Sequence, residues 1–301
     1  SEHTARYHME KRILGRTGYR VTILTIGGAG PGFTPFAEEG VRAFEMAIER
    51  GLNMVDIAPS YGEAEVRLGP LISRYRDKLV IAEKTLERTR EGAFRELKQS
   101  LSRLNVKYFD IYQFHAVSSL EELDRIFDRG GAIEAFLEAR DTGLIKFIGI
   151  TVHNDMRIVL KALERFDFDT VLIPVNAASM IAPSPENDYR PVLKAAMDRG
   201  TGIIAIKAIA RRRWSGERKM IGDRPFTTWY EPFDSQEDID LAVWYTLSQP
   251  GVATYSMAAE VRLWPHIISA GERFRMLTEE EQLRIIELFR AKRASPLFPE
   301  H

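Results

Sequence analysis

Leu79-Val80-Ile81-Ala82-Glu83-Lys84 is a short, mostly apolar run that stops on a charge. Asn53-Met54-Val55-Asp56 precedes it and stops on an acid. Phe109-Asp110-Ile111-Tyr112-Gln113-Phe114-His115 follows it and stops on an imidazole. Working outward, runs of the same kind recur at Ile23–Gly27, Phe147–Ile150, Val171–Val175, Ile203–Lys207 and Val252–Ser256. They are rich in Val and Ile, and several are apolar without alternation. That pattern suits parallel strands buried on both faces.

Helical spacing fills the gaps. Glu38 to Arg50 carries Val41, Phe44 and Ile48, and Gly51 stops it. Gly92 to Leu104 carries Phe94, Leu97, Leu101 and Leu104. Further helices are predicted over Ile133–Arg140, Asp188–Arg199 and Ser235–Leu247. Strand and helix alternate about every 30 residues with no break in composition, which predicts a single (β/α)8 TIM barrel spanning residues 1–301. Two pieces fall outside the repeat. Residues 11–22 read as an N-terminal β-hairpin that plugs the barrel, and Thr278-Glu279-Glu280-Glu281 is a capping box for an extra C-terminal helix. Residues 1–8 read as a cloning scar or a disordered tail. Arg211 to Asp234 shows no periodicity and is expected to be a long functional loop. Gly27-Gly28-Ala29-Gly30-Pro31-Gly32 lacks the full dinucleotide spacing, so a flexible loop beside the substrate is expected.

Composition narrows the function. The 301 residues are 45% hydrophobic, enough for a large core. A net charge of −1 provides no field for nucleic acid or an anionic membrane. The chain has no cysteine, which removes disulfides, thiolate metal sites and cysteine nucleophiles. No apolar stretch approaches the roughly 20 residues of a membrane span, and residues 1–9 lack a signal-peptide core. A cytoplasmic soluble enzyme with no metal is expected, and the sequence leaves its oligomeric state open.

In a barrel, residues at the C-terminal ends of strands converge on one mouth. Asp56, Lys84 and His115 end successive strands, and Tyr61 follows in the turn Ala58-Pro59-Ser60-Tyr61-Gly62. Taken singly, each is most simply a cap, a packing ring, a surface charge or a satisfied polar group. Together they form a proton-transfer set. A phenol is a poor acid near neutrality, and an adjacent ammonium makes it a better donor. Lys84 supplies that charge, Asp56 anchors Lys84, and His115 holds a carbonyl oxygen against Tyr61. The polarised carbonyl then accepts a hydride, which implies a nicotinamide cofactor.

The stretch Asn53 to Gly62, with Asp56 and Tyr61 five apart before a glycine, resembles the aldo-keto reductase signature. Ala82-Glu83-Lys84-Thr85 resembles that family's lysine strand, and Tyr112-Gln113-Phe114-His115 its histidine strand. Gly143 to Thr151 resembles the segment leading into its fifth strand. The resemblance implies Tyr61 as general acid, Lys84 and Asp56 as its tuners, and His115 as the orienting group. It also implies a dinucleotide lying extended across the mouth. Thr151 would approach the nicotinamide carboxamide. Val152 and Leu172 stand where the family usually has Asn and Gln, and Asn176 is the expected substitute. Lys207, at the end of the seventh strand, and Arg211, Arg212 and Arg213 after it are candidate cofactor-binding residues. The arginines read equally as phosphate clamps or as a solvated basic loop. After the eighth strand, Arg262 is the candidate for a 2′-phosphate, while Glu260 suits ribose hydroxyls and repels that phosphate. NADP(H) is favoured and NAD(H) is the alternative.

The function implied is reduction of a small aldehyde or ketone. Phe33, Trp214, Trp229 and Tyr230 are candidates for its apolar pocket. The departures at Val152 and Leu172 motivate a second reading, a nucleotide-binding regulatory or redox-sensor subunit with little turnover. A third is a barrel lyase using Lys84 as a Schiff base.

Overall fold

The computed structural model describes residues 8–218 and 220–300. The tail expected over residues 1–8 lies, apart from its last residue, outside them. Two short strands, β1 (Lys11–Ile13) and β2 (Arg20–Thr22), pair antiparallel with Arg12 opposite Val21. Eight parallel strands then close a barrel. In chain order they are β3 (Leu24–Gly27), β4 (Met54–Asp56), β5 (Val80–Thr85), β6 (Phe109–Phe114), β7 (Ile145–Thr151), β8 (Thr170–Pro174), β9 (Gly202–Ile206) and, after a small hairpin of β10 (Ala210–Arg212) with β11 (Glu231–Pro232), β12 (Val252–Ser256). β12 pairs with both β9 and β3, so the sheet has no edge.

The hairpin closes the N-terminal end of the barrel. Leu14 and Val21, both fully buried, pack with Met54, Ala82, Ile111, Leu172 and Ile204 from inside the barrel. Burying a side chain such as Leu14 contributes about 1.5–3 kcal/mol. Tyr19 donates a hydrogen bond to Asp110 Oδ1 at 3.0 Å, and Arg76 Nη2 meets Asp110 Oδ2 at 3.0 Å, which ties the plug to β6. The outer faces of the strands carry residues such as Tyr112, Phe114 and Val171 into a second, larger apolar layer under the helices.

The predicted helices form at Ala37–Glu49, Arg90–Leu104, Ala132–Asp141, Arg190–Arg199 and Gln236–Leu247. The last helix, Glu279–Ala291, begins with the expected reciprocal Thr278–Glu281 capping box. Four longer helices lie outside those predicted: Ala64–Arg74, Leu120–Phe127, Met156–Arg165 and Trp264–Glu272. The first of these carries Pro70 in its interior, the residue type that argues against a helix from sequence. No described helix is long and apolar enough to cross a membrane.

One local expectation is corrected. The glycine-rich stretch after β3 is a packed turn of helix, Ala29–Phe33, with Ala29 to Gly32 buried. A Cβ on Gly32 would lie 1.9 Å from the Tyr61 carbonyl oxygen, so only glycine allows this approach. This turn packs against the Tyr61 backbone and forms the wall behind it.

Candidate active site

β4, β5 and β6 are neighbours in register, with Asp56 opposite Ala82 and Lys84 opposite Gln113. Side chains alternate along a strand, so Asp56, Lys84 and Gln113 share the barrel interior. Tyr61 reaches them from the turn after β4. That turn is set by the Ala58 carbonyl, which accepts the Tyr61 N–H at 3.1 Å, and by Gly62 at φ +53°.

Lys84 is fully buried and Asp56 nearly so. Lys84 Nζ donates to Asp56 Oδ2 at 2.6 Å and to Tyr61 Oη at 2.5 Å. Gln113 Nε2 donates to Asp56 Oδ1 at 3.2 Å and approaches the Glu83 carbonyl at 3.4 Å. Burial opposes the charge on Lys84, but Asp56 and Tyr61 outweigh it and raise the amine above its ordinary value. A Schiff base needs a free amine at this position, and the pairing with Asp56 opposes that form. Burial pushes the Tyr61 hydroxyl up to about 12, against the pull of the Lys84 charge.

His115 stands on the other side of Tyr61. The two rings meet edge to face, 5.5 Å between centroids. The His115 backbone is fixed by its own N–H to the Thr85 carbonyl at 2.9 Å and by Arg88, whose Nη2 donates to the His115 carbonyl. Ser60 Oγ lies 3.4 Å from His115 Nδ1. Burial, with Lys84 and Arg88 nearby, pushes the imidazole well below its ordinary value, so it is neutral near pH 7.

Asp56 and Tyr61 border a cleft of ≈ 460 Å³, open solvent included, walled by Gly27, Ala29, Leu172, Trp229, Tyr230 and Met257. His153 and Lys207 also line it. The structure thus brings Asp56, Tyr61, Lys84 and His115 together and sets Lys207 in the same cleft. The other expected residues are placed differently. Thr151 Oγ1 accepts the Ala116 N–H at 2.7 Å. Asn176 caps a short helical turn, accepting from Ser179 and donating to the Lys207 carbonyl at 3.1 Å. Arg211 donates to the Lys292 carbonyl at 2.6 and 2.9 Å, and Arg212 pairs with Glu231 at 2.7 Å. Arg213 meets Glu300 at 3.3 Å, with a buried Nε that has no partner. Arg262 forms a fork with Glu260, at 2.8 and 3.1 Å. Trp229 and Tyr230 face the cleft as expected. Trp214 instead donates to the Thr228 carbonyl at 2.9 Å within the long loop, and Phe33 packs edge to face on Trp229.

Sequence reasoning missed Gln113 as the second partner of Asp56 and His153 as a cleft residue. The signal for Gln113 was present: it lies two residues before His115, on the same face of the strand.

The family model described as the aldo/keto reductase family matches residues 24–254, which contain all eight barrel strands except the last two residues of β12. The chain belongs to that family. The reductase is similar to pyridoxal 4-dehydrogenase of Microbacterium luteolum, at 27% identity over 241 residues, covering 65% of this chain and 69% of that protein. It is also similar to the aldo-keto reductase YhdN of Bacillus subtilis, at 27% identity over 161 residues. That match covers 48% of this chain and spans about half (47%) of the Bacillus protein. Among solved structures it resembles the holo form of an aldo-keto reductase from Bacillus halodurans. The TM-score is 0.71 at 21% identity, over 98% of this chain and 99% of that one, a likeness of fold. The reductase is therefore an NAD(P)H-dependent oxidoreductase of small carbonyl compounds.

Proposed function

We propose that the reductase converts an aldehyde or ketone to an alcohol with Tyr61 as the proton donor. The observation that carries this reading is the 2.5 Å bond from Lys84 Nζ to Tyr61 Oη. An ammonium only donates, so Tyr61 Oη is the acceptor in that bond. Its own hydrogen is left to point elsewhere, and the cleft is the open side. A reduced nicotinamide, when bound, supplies the hydride for the carbonyl carbon. As the C=O π bond opens, its oxygen becomes basic and takes the Tyr61 hydrogen. The phenolate left behind is met by a positive charge already in place, with no reorganisation needed. Asp56 keeps Lys84 charged and aimed. His115, neutral, has Nε2 free of partners among the described residues and donates from it to the same carbonyl oxygen in the Nε2–H tautomer.

The mouth fits such a cofactor chemically. By the family resemblance Thr151 would approach the carboxamide, and the buried Nε of Arg213, without a partner among the described residues, suits a phosphate oxygen. Arg262, half-exposed beside Glu260, suits a 2′-phosphate, so NADP(H) is the proposed donor ahead of NAD(H). Parallel fluorescence titrations with NADPH and NADH, followed by turnover over a carbonyl panel, test this reading. Tighter NADPH binding with carbonyl-dependent oxidation supports it. Tight binding with negligible turnover across the panel favours a nucleotide-sensing role.

A further inference from the structure

His115 is joined to Ala116 by a peptide group that is held at both polar ends. Its carbonyl oxygen accepts from Arg88 Nη2, and its N–H donates to Thr151 Oγ1 at 2.7 Å. The Val117 N–H donates to the Thr151 carbonyl at 3.0 Å. Held this way, Ala116 sits at φ +50°, a conformation uncommon for a residue with a side chain. The peptide before His115 is fixed as well, its N–H donating to the Thr85 carbonyl at 2.9 Å. With both flanking peptide planes set, the imidazole keeps only its side-chain torsions.

Arg88 is the unusual member of this clamp. It is 7% exposed, and a buried charge is costly unless it is paired and hydrogen-bonded. All three of its arms are used. Nε pairs with Glu122 Oε1 at 3.0 Å, Nη1 donates to the Thr85 carbonyl at 3.3 Å, and Nη2 donates to the His115 carbonyl. Those carbonyls belong to the residue after Lys84 and to His115 itself, so the guanidinium bridges the ends of β5 and β6. Glu122 Oε2 turns back to the same segment and accepts the N–H and the hydroxyl of Ser118, at 2.9 and 2.6 Å. Carbonyls at strand ends are commonly satisfied by backbone N–H groups or water, without a buried cation. We propose that Arg88, anchored by Glu122, is a positioning residue for the reduction: with Thr151 it locks the His115–Ala116 peptide and so aims the imidazole at the carbonyl oxygen beside Tyr61.

This rests on the reading of His115 as a second donor to that oxygen and adds what holds it there. The ring is bordered by Ser60 Oγ, 3.4 Å from Nδ1, by the Tyr61 ring and by the His153 ring, 6.4 Å away between centres. A hydroxyl that donates to Nδ1 keeps the ring proton on Nε2, and it does so only while the ring keeps its orientation. Among the described residues Arg88 makes no hydrogen bond to Asp56, Tyr61 or Lys84, so its influence runs through His115. Burial lowers the guanidinium from its ordinary value against the pull of Glu122. An arginine stays charged all the same, so the lock does not open near neutral pH.

The test follows two readouts in Arg88→Gln and Arg88→Lys. One is kcat at saturating NADPH with benzaldehyde, butanal and cyclohexanone. The other is the His115 tautomer in the free enzyme, from nitrogen NMR of labelled histidines, with His115→Gln identifying its signal among the six. Wild type should show the Nε2–H tautomer alone, and a mixed wild-type ring overturns the proposal at once. Both variants should mix the tautomers and lower kcat by about 10–10²-fold, the scale of misplacing a reacting group by up to about 1 Å, with NADPH binding within about twofold. A lower kcat with an unchanged ring marks a general loss of structure and overturns the proposal. So does a mixed ring with wild-type kcat, or a loss confined to NADPH binding. Where neither Arg88 variant folds, Glu122→Gln decides by the same readouts, because one amide oxygen cannot replace two carboxylate oxygens toward Arg88 and Ser118. Should wild type reduce none of the carbonyls, the reductase reading fails on its own and the tautomer decides alone. A mixed ring in the variants then supports the lock, and an unchanged one removes it.

Discussion

Lys84 and Asp56 form a buried ion pair at 2.6 Å, with the lysine 0% and the aspartate 4% exposed at the side chain. Removing one partner leaves the other charge buried and unmatched. Lys84→Met should cost about 3–5 kcal/mol of stability in urea unfolding. The double variant Lys84→Met with Asp56→Asn should lose less than the two single losses added. Additive losses would show that the two side chains do not depend on each other.

The wall behind Tyr61 gives a second prediction. Gly32→Ala places a Cβ 1.9 Å from the Tyr61 carbonyl oxygen, so the turn carrying the phenol must shift. A displacement of about 1 Å at a reacting group costs on the order of 10²-fold in rate. Carbonyl reduction by Gly32→Ala should fall on that scale, with circular dichroism close to wild type. Wild-type turnover would show that the position of Tyr61 does not depend on this contact.

Much of this was legible in the sequence. β4, β5 and β6 were readable because apolar runs stop abruptly on Asp56, Lys84 and His115, or one residue to either side of them. The barrel followed from the repeat, and the capping box at Thr278 is a local signal that needs no tertiary context. Other elements were set by contacts invisible in one dimension. The helix Ala64–Arg74 forms despite Pro70 because Ala64, Leu68, Leu71 and Ile72 are buried against the barrel. The glycines after β3 read as flexible, but Gly32 is small so that Tyr61 can approach. Arginines 211 to 213 read equally as phosphate clamps or as a solvated basic loop, because local charge alone does not separate the two. The acids that match them, Glu231 and Glu300, lie far along the chain.

Behind Lys84, on the outer face of β5, Glu83 is fully buried and faces the carboxyl of Glu65. Glu83 Oε2 and Glu65 Oε2 both lack a donor, the pattern expected where two carboxyl groups share a proton. Burial and the facing Glu65 raise Glu83 well above the carboxylate range. A raised carboxyl binds more protons folded than unfolded between its unfolded and folded values. Stability therefore falls as pH rises through that window. Glu83→Gln removes this dependence and supplies a donor to Glu65. Its melting temperature should gain on wild type as pH is raised from about 5. A difference that shrinks with rising pH would show that Glu83 is ionised in the folded protein.

The central claim is that Tyr61 gives its proton as the hydride is transferred. It is tested most directly by single-turnover oxidation of bound NADPH on mixing with a carbonyl substrate, wild type against Tyr61→Phe. The account predicts cofactor binding within about twofold and a transfer rate lowered by about 10²–10⁴-fold, the range for loss of a positioned general acid. Equal transfer rates in the two proteins would contradict it.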